Sequence, residues 1–223
     1  MRSSSQLPLP LPPHCSLSRA DLIVAPANER AVAFIESWPD WPARAAALYG
    51  PAGCGKTHLA SIWREMSGGR IVAAAKIAEQ GLRSGEALAI EDVDLADVSS
   101  ARDAALFATL ESGGWILLTG RTPPANWAHA LPDLASRFSG LTALSLWEPD
   151  EALLAALARK LFSDRQLLVP ETIIEAMLRR LDRSPAAVRD FVAELDAMAL
   201  AEARPVSLAL VRNVIAGREA GSP

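Results

Sequence analysis

The sequence has few of the residues that cross-link or anchor a protein. It contains two cysteines, Cys15 and Cys54, so we expect no disulfide framework, and a reducing cytoplasm suits the chain. The histidines have no metal-ligand spacing, so we expect no zinc site. No apolar stretch approaches the roughly 20 residues of a membrane span, and the Pro- and Ser-rich start differs from a signal peptide. These absences favour a cytoplasmic protein without a membrane anchor.

A basic surplus is also missing. The formal net charge is −4, which argues against a broad nucleic-acid-binding surface. Hydrophobic residues make up 50% of the chain, enough for a substantial core, and 223 residues suit one large domain or a core with a small appendage. The tryptophans are scattered along the sequence, which favours core or boundary packing over a base-stacking platform.

One complete phosphate-binding signature is present. It fits G-x-x-x-x-G-K-[ST] and lies between the apolar run Ala45–Tyr49 and a helical stretch. Its glycines let backbone N–H groups surround a β-phosphate at a helix N-terminus, Lys56 can reach the β- and γ-phosphates, and Thr57 can ligate Mg²⁺. The signature therefore predicts binding of ADP or ATP with Mg²⁺. The predicted nucleotide-binding residues in this stretch are Gly50, Pro51, Ala52, Gly53, Cys54, Gly55, Lys56, Thr57 and His58.

Two interpretations of Cys54 stay open. Its place near a helix N-terminus can give it thiolate character, or it is a small residue that the loop tolerates.

Alternation of apolar runs and helical patterns predicts an α/β fold with a parallel sheet covered by helices on both faces. After Trp147 the alternation stops and amphipathic helices follow, the third opening with Ser184 as N-cap and Pro185 at the first helical position. Alternating Leu and Pro near the start cannot form a helix. We therefore predict an extended tail over 1–13, a nucleotide-binding core over 14–147 and an all-α domain over 148–223.

Further candidate site residues lie at strand ends and on later helices. Glu91 and Asp92 end an apolar strand, where such acids hold Mg²⁺ and polarise an attacking water, or they are simply solvated. Thr119 and Arg121 end the next strand and either face a γ-phosphate or form an ordinary strand–loop junction. Arg137 is either an arginine finger or a surface charge. Arg189 on the third C-terminal helix either folds down onto the phosphates or is a surface charge beside Asp190.

The assembled order of motifs resembles the AAA+ ATPases, and within them the Hda family of DnaA-homologous regulatory inactivators. The stretch Leu131-Pro132-Asp133-Leu134-Ala135-Ser136-Arg137 resembles that family's arginine-finger box. Ile116–Gly120 with Pro123-Pro124 resembles its sensor 1 region, and Val188-Arg189 its sensor 2 region. The tail, with Gln6, Leu7, Leu9 and Leu11, resembles its sliding-clamp-binding motif. The resemblance covers Gln6 to about Ile215.

The resemblance implies a regulator of chromosomal replication initiation. Such a protein binds ADP or ATP, uses residues 6–11 to bind the sliding clamp (the β subunit of DNA polymerase III), and presents Arg137 to the ATP held by DnaA. The helical domain would serve as a lid over the nucleotide, with Arg189 folding onto its phosphates. DnaA itself continues into a helix-turn-helix domain, whereas only a few residues follow the lid here, so we expect no sequence-specific DNA binding. A homodimer is compatible with this interpretation.

The sequence departs from the family pattern in two places. Glu91 precedes Asp92 where DnaA-like proteins place Asp first, and Arg121 stands where an acidic sensor 1 residue is common. Both departures predict poor intrinsic hydrolysis in a protein that mainly holds ADP and activates a partner. Two rival hypotheses are a replication adaptor or helicase-loader-like protein that uses nucleotide as a structural ligand, without a trans finger, and an independent P-loop enzyme such as a small kinase.

Overall fold

The computed structural model describes residues 17–80, 85–146, 150–202 and 204–221. The predicted tail over 1–13, its residues Gln6, Leu7, Leu9 and Leu11, and Cys15 lie outside the described residues. So does the predicted domain boundary, because residues 147–149 are also outside them.

Five parallel strands form the central sheet, as the alternating sequence pattern predicts. They are β1 (Ala45–Tyr49), β2 (Arg70–Ala73), β3 (Leu88–Glu91), β4 (Ile116–Gly120) and β5 (Thr142–Ser145). Their spatial order is β2-β3-β4-β1-β5, so β1 lies between β4 and β5. All five carboxyl ends therefore meet at one edge of the sheet, where open α/β sheets bind their ligands.

Successive side chains of a strand point to opposite faces, and each face of this sheet packs against its own helices. Ala46 and Leu48 of β1 join the hydrophobic cluster built with α1 and α2, together with Trp41 and Trp63. Ala47 faces the other way, into the cluster that holds α3, α4 and α5. The prediction of helices on both faces is confirmed. The helices of this part are α1 (Glu29–Glu36), α2 (Lys56–Ser67), α3 (Ile77–Gln80), α4 (Ser100–Glu111) and α5 (Asp133–Ser139).

The tryptophans pack as predicted wherever the structure describes them. Trp41 stacks on Trp63 with ring centroids 5.4 Å apart, and Trp115 meets Trp41 edge-on at 5.9 Å. Trp127 is buried against Phe138 of α5. None of these rings forms an exposed stacking platform, and Trp147 lies outside the described residues.

Within the described residues, four helices follow the sheet and share a separate hydrophobic cluster. They are α6 (Glu151–Asp164), α7 (Glu171–Leu178), α8 (Pro185–Ala201) and α9 (Leu208–Gly221), which we call the lid helices. Ser184 caps α8 as predicted, accepting a hydrogen bond from Ala187 N–H at 3.1 Å. The Asp150 side chain caps α6 by accepting from Leu153 N–H at 2.7 Å. No described helix is both long and apolar enough to span a bilayer.

Candidate nucleotide-binding site

The phosphate loop joins the buried strand β1 to helix α2 at the carboxyl edge of the sheet. Gly50 has φ +153°, and a Cβ there would lie 2.2 Å from the Leu146 carbonyl oxygen, so the loop can leave the strand only as glycine. Gly55 has φ +104° immediately before α2, which turns the chain into the helix. Gly50 N–H also donates to Gly120 O at 3.2 Å, tying the start of the loop to the end of β4. These constraints shape a concave loop in front of a helix N-terminus, as an anionic phosphate requires.

Lys56 holds the loop from within. Its ammonium group donates to the carbonyl oxygens of Gly50 and Pro51 at 2.7 and 2.9 Å, and the residue is 8% exposed. Thr57, next to it, is exposed at the start of α2 and makes no contact that would occupy its hydroxyl among the described residues. Adjacent residues at the start of α2 thus supply a buried ammonium group and an exposed hydroxyl.

Cys54 is buried within the loop, and the thiolate interpretation is wrong. Burial raises the pKa of its thiol, and the nearby Lys56 ammonium, 3.7 Å from the sulfur, only partly offsets that effect. A raised pKa means that the neutral thiol prevails at neutral pH and that the thiolate appears only as pH rises through that higher value. Cys54 therefore acts as a small apolar residue of the loop.

We expect Cys54 to react slowly with thiol reagents. In a Cys15→Ser variant, the reaction with a disulfide reagent at neutral pH should run at least about tenfold slower in the native chain than in guanidinium, since the thiol is buried and its pKa is raised. Absorbance of the released thiol anion measures the rate, which should rise with pH. Equal rates in native and unfolded protein would contradict the buried position.

The acidic end of β3 lies two strands away from β1. One carboxylate oxygen of Glu91, Oε1, is buried and has no hydrogen-bond partner among the described residues. Asp92 follows with φ +58°, a left-handed conformation that is uncommon for a residue with a side chain, and it is exposed. A buried carboxylate oxygen without a donor is costly unless a cation or water meets it. Glu91 therefore fits the role of a ligand to Mg²⁺ or to its water, and Thr57 offers a hydroxyl for the same ion.

The end of β4 is tied to the end of β3. Thr119 is 1% exposed, and its hydroxyl accepts from Asp92 N–H at 3.2 Å. Asp94 accepts three hydrogen bonds at one carboxylate oxygen, from the N–H groups of Arg121 and Thr122 and from the Thr122 hydroxyl, at 2.7, 3.0 and 3.1 Å. The structure thus gives Thr119 a structural partner and leaves the Arg121 side chain exposed.

A bridging segment, residues 17–26, runs between the sheet and the lid helices. The backbone oxygen of Ser18 bonds to the His58 ring at 2.8 Å, which fixes the side chain of a predicted nucleotide-binding residue beneath this segment. Asp21 pairs with Lys160 of α6 at 2.6 Å. Leu22 packs on the cluster of α1 and α2, whereas Ile23 packs on the lid cluster. The segment therefore joins the helix of the phosphate loop to the lid.

Helix α8 begins against the phosphate loop. A Cβ placed on Gly53 would lie 3.5 Å from Pro185 Cδ, so the loop and the first turn of α8 are in contact range. Arg189 is one turn further along, on the same face as Pro185, and helical side chains lean toward the N-terminus. Arg189 is half-buried and forms no hydrogen bond or ion pair with any residue that the structure describes. A cation aimed toward the loop and lacking a partner suits a phosphate contact.

Arg137 lies on the short helix α5, and its contacts are with α4 rather than with the phosphate loop. Its guanidinium pairs with Glu111 of α4 at 2.8 Å and lies over the Phe107 ring, 5.9 Å from the centroid. The Arg137 side chain is 50% exposed. The structure brings Lys56, Thr57 and the start of α8 together around the loop, and it places Arg137 at the surface on a different helix pair.

The sequence analysis missed three features of this region. The bridging segment carries no motif, and Asp94 is a lone acid after a recognised pair. The third is the buried pair Arg102 and Asp103, 3% and 0% exposed. One signal for that pair exists: both share a helix face with Leu106 of α4, which should have marked them as interior charges.

No protein-family model matches the sequence, and no curated protein matches it significantly. Solved structures do match the fold. Domain III of the Thermotoga maritima replication initiation protein DnaA has a TM-score of 0.77 at 19% identity, covering 89% of this chain and 95% of that one. AMPPCP-bound DnaA from Aquifex aeolicus has a TM-score of 0.64 at 18% identity, covering 78% of this chain and 63% of that one.

A second kind of match is RuvB. The Thermotoga maritima RuvB Holliday junction branch migration motor has a TM-score of 0.61 at 19% identity, covering 76% of this chain and 60% of that one. The chain thus spans nearly all of the DnaA domain but less than two thirds of the Aquifex aeolicus DnaA and RuvB chains. At these identities the likeness shows the fold alone: a parallel sheet with helices on both faces, followed by further helices, as in DnaA domain III and RuvB.

Proposed function

We propose that the chain is an AAA+ regulator of replication initiation that binds ADP or ATP and stimulates hydrolysis of the ATP held by DnaA. Three observations support the proposal: the likeness to DnaA domain III, the phosphate loop with its unpartnered Glu91 oxygen, and above all the half-exposed Arg137. The contacts of Arg137 with Glu111 and Phe107, rather than with its own phosphate loop, support a role toward a nucleotide on another molecule.

In this proposal the chain's own site retains nucleotide. Lys56 binds the β- and γ-phosphates, the loop N–H groups surround them, and Arg189 closes the site from the lid. Thr57 and Glu91 would hold Mg²⁺, which neutralises phosphate charge when bound. The longer Glu91 carboxylate and the structural engagement of the Thr119 hydroxyl support weak hydrolysis at this site.

The second site lies at the interface with DnaA. A water attacks the γ-phosphorus of the ATP on DnaA, the bond to the bridging oxygen breaks, and ADP and phosphate leave. Arg137 supplies a fixed positive charge to the equatorial oxygens of the transferring phosphoryl group, as trans-acting arginines do. For this it must leave Glu111, an exposed pair of the kind worth about 1 kcal/mol or less.

The domain organisation belongs to the same proposal. We assign residues 1–13 to a clamp-binding tail, 14–147 to the AAA+ core and 148–223 to the lid. The separate hydrophobic cluster of the lid helices supports a distinct C-terminal unit. A homodimer fits a fold family that works through contacts between subunits.

The decisive experiment measures hydrolysis of DnaA-bound ATP in the presence of clamp, DNA and this protein, with each omitted in turn. We expect rapid hydrolysis only when all are present. No acceleration by the protein in the complete mixture would overturn the proposal.

A second candidate is a nucleotide-stabilised adaptor without a trans finger. The Arg137–Glu111 ion pair favours it, because the proposed finger already has a partner within its own chain. A variant that no longer binds nucleotide but keeps full activity on DnaA would support this alternative.

The tail carries its own prediction. Replacing Gln6 and Leu9 with alanine should abolish clamp binding, because an extended peptide binds by placing leucines in an apolar cleft while an amide bonds at its rim. Thermal stability and ADP affinity should not change. Surface plasmon resonance on immobilised clamp measures the effect, with a Ser3→Ala, Ser4→Ala variant as control. A chain beginning at Cys15 that still binds the clamp would exclude this role.

A further inference from the structure

Two charged residues of α4 are buried where an apolar helix face would be expected. Arg102 and Asp103 are 3% and 0% exposed, and burying a charge is unfavourable unless it is fully paired. Both side chains bond to the backbone of segments that are distant in sequence. One of these segments follows the acidic end of β3, and the other leads into α5.

Arg102 joins both segments with one guanidinium group. Its NH2 donates to the backbone oxygen of Val93 at 2.8 Å, directly after Asp92. Its NH1 donates to the backbone oxygen of Ala128 at 3.1 Å, five residues before α5. A planar guanidinium can hold two acceptors at a fixed mutual angle, which an ammonium group cannot do.

Asp103 completes the connection from the other side. One of its carboxylate oxygens accepts from the N–H groups of Ala130 and Leu131, at 2.5 and 3.1 Å. The other oxygen lies 3.2 Å from Arg102 NH1 as a charge contact, without hydrogen-bond geometry. The segment that leads into α5 is thus bound to α4 through the backbone N–H groups of Ala130 and Leu131.

We propose that Arg102 and Asp103 are positioning residues that hold the acidic end of β3 and the Arg137-bearing helix as one unit. The proposal rests on the proposed function of Arg137. The pair of Arg102 and Asp103, which we call the bridge, fixes the backbone that leads into α5. It therefore sets where the Arg137 guanidinium lies relative to the chain's own nucleotide site. Neither residue touches nucleotide, so each acts only through what it holds.

The first test is amide hydrogen exchange on the full-length protein, which needs no partner. In Arg102→Lys, exchange of the peptide covering 128–139 should accelerate at least about tenfold, since the bond to Ala128 O that holds this segment to α4 is lost. The peptide covering α2 should stay as in the wild type. Thr109→Ala is the control, because Thr109 is also buried on α4 but its hydroxyl donates to Ala105 O of its own helix, at 2.7 Å, and to no distant segment that the structure describes. Unchanged exchange over 128–139 overturns the proposal.

The second test measures stimulated hydrolysis of DnaA-bound ATP at saturating protein. Arg102→Lys should lower the maximal rate about tenfold, a loss of about 1.4 kcal/mol, while half-saturation and ADP affinity change less than twofold. In an Arg137→Ala background the same substitution should have no further effect, since the two act in series. Full stimulation by a folded Arg102→Lys protein would refute the positioning role. The pair of Arg102 and Asp103 would then contribute only to the stability of the fold.

A milder variant protects the tests against misfolding. Asp103→Asn keeps an oxygen acceptor for the turn and loses the charge, so it should give an intermediate result in both assays. If wild-type protein fails to stimulate DnaA while exchange over 128–139 still responds, the proposed function fails and the bridge stands. If stimulation occurs and exchange does not respond, the bridge fails and the function stands.

Discussion

Arg137→Ala is expected to lower the stimulated hydrolysis of DnaA-bound ATP by about 10³-fold or more, the range that other trans-acting arginines contribute. The substitution removes a permanent, planar positive charge from the charged phosphoryl group. ADP affinity, clamp binding and thermal stability should hardly change, because the side chain is half exposed and its ion pair lies at the surface. Release of labelled phosphate from DnaA preloaded with ATP measures the effect.

Two further variants separate a finger from a structural charge. Arg137→Lys should rescue poorly, since lysine lacks the planar fork. Glu111→Gln should keep or raise the stimulation, because it frees Arg137 from its ion pair. Arg64→Ala removes another exposed, ion-paired arginine and serves as the control. Normal stimulation by the Arg137→Ala protein would refute the trans mechanism. The chain would then act only by holding its partners together.

Lys56→Ala is the second large effect, with ADP affinity falling at least tenfold. A hydrogen bond to a charged group contributes roughly 1.5–3 kcal/mol, and about 1.4 kcal/mol corresponds to a factor of ten. The alanine also leaves the carbonyl oxygens of Gly50 and Pro51 without their buried donor, so the loop itself loses support.

Binding of labelled ADP measured by fluorescence anisotropy tests this expectation. Lys76→Ala is the matched control, since Lys76 is an exposed lysine outside the loop. Circular dichroism checks that both variants fold. Unchanged ADP affinity in a folded Lys56→Ala protein would refute the assignment of the site.

The phosphate loop and its flanks were predictable to the residue. Strand β1 and helix α2 have the bounds that the signature indicates, because a buried run must precede it and a helix must begin at Lys56. Ser184 was predictable for a similar reason, since a hydroxyl followed by proline is a strong local signal for a helix start. Such local rules depend on neighbours in sequence alone.

Contacts between distant segments were not predictable. The helix face that Arg102 and Asp103 share with Leu106 indicates burial, but their partners Val93 and Ala130 are distant in sequence and are not predictable from it. The role of Asp94 likewise depends on β3 and β4 being neighbours, an order that hydrophobic patterning does not specify. The roles proposed for Arg137, Arg189 and the tail stay predictions.

The bridging segment has a consequence for energetics. It contacts the phosphate-loop helix through Ser18 and the lid through Asp21, and the residues proposed to bind the clamp precede it by a few positions in the sequence. Linkage between two binding events is reciprocal. If a nucleotide in the loop changes the affinity of the tail for the clamp by some factor, the clamp must change the affinity for that nucleotide by the same factor. The affinity for the clamp and the affinity for ADP would then report the same coupling free energy.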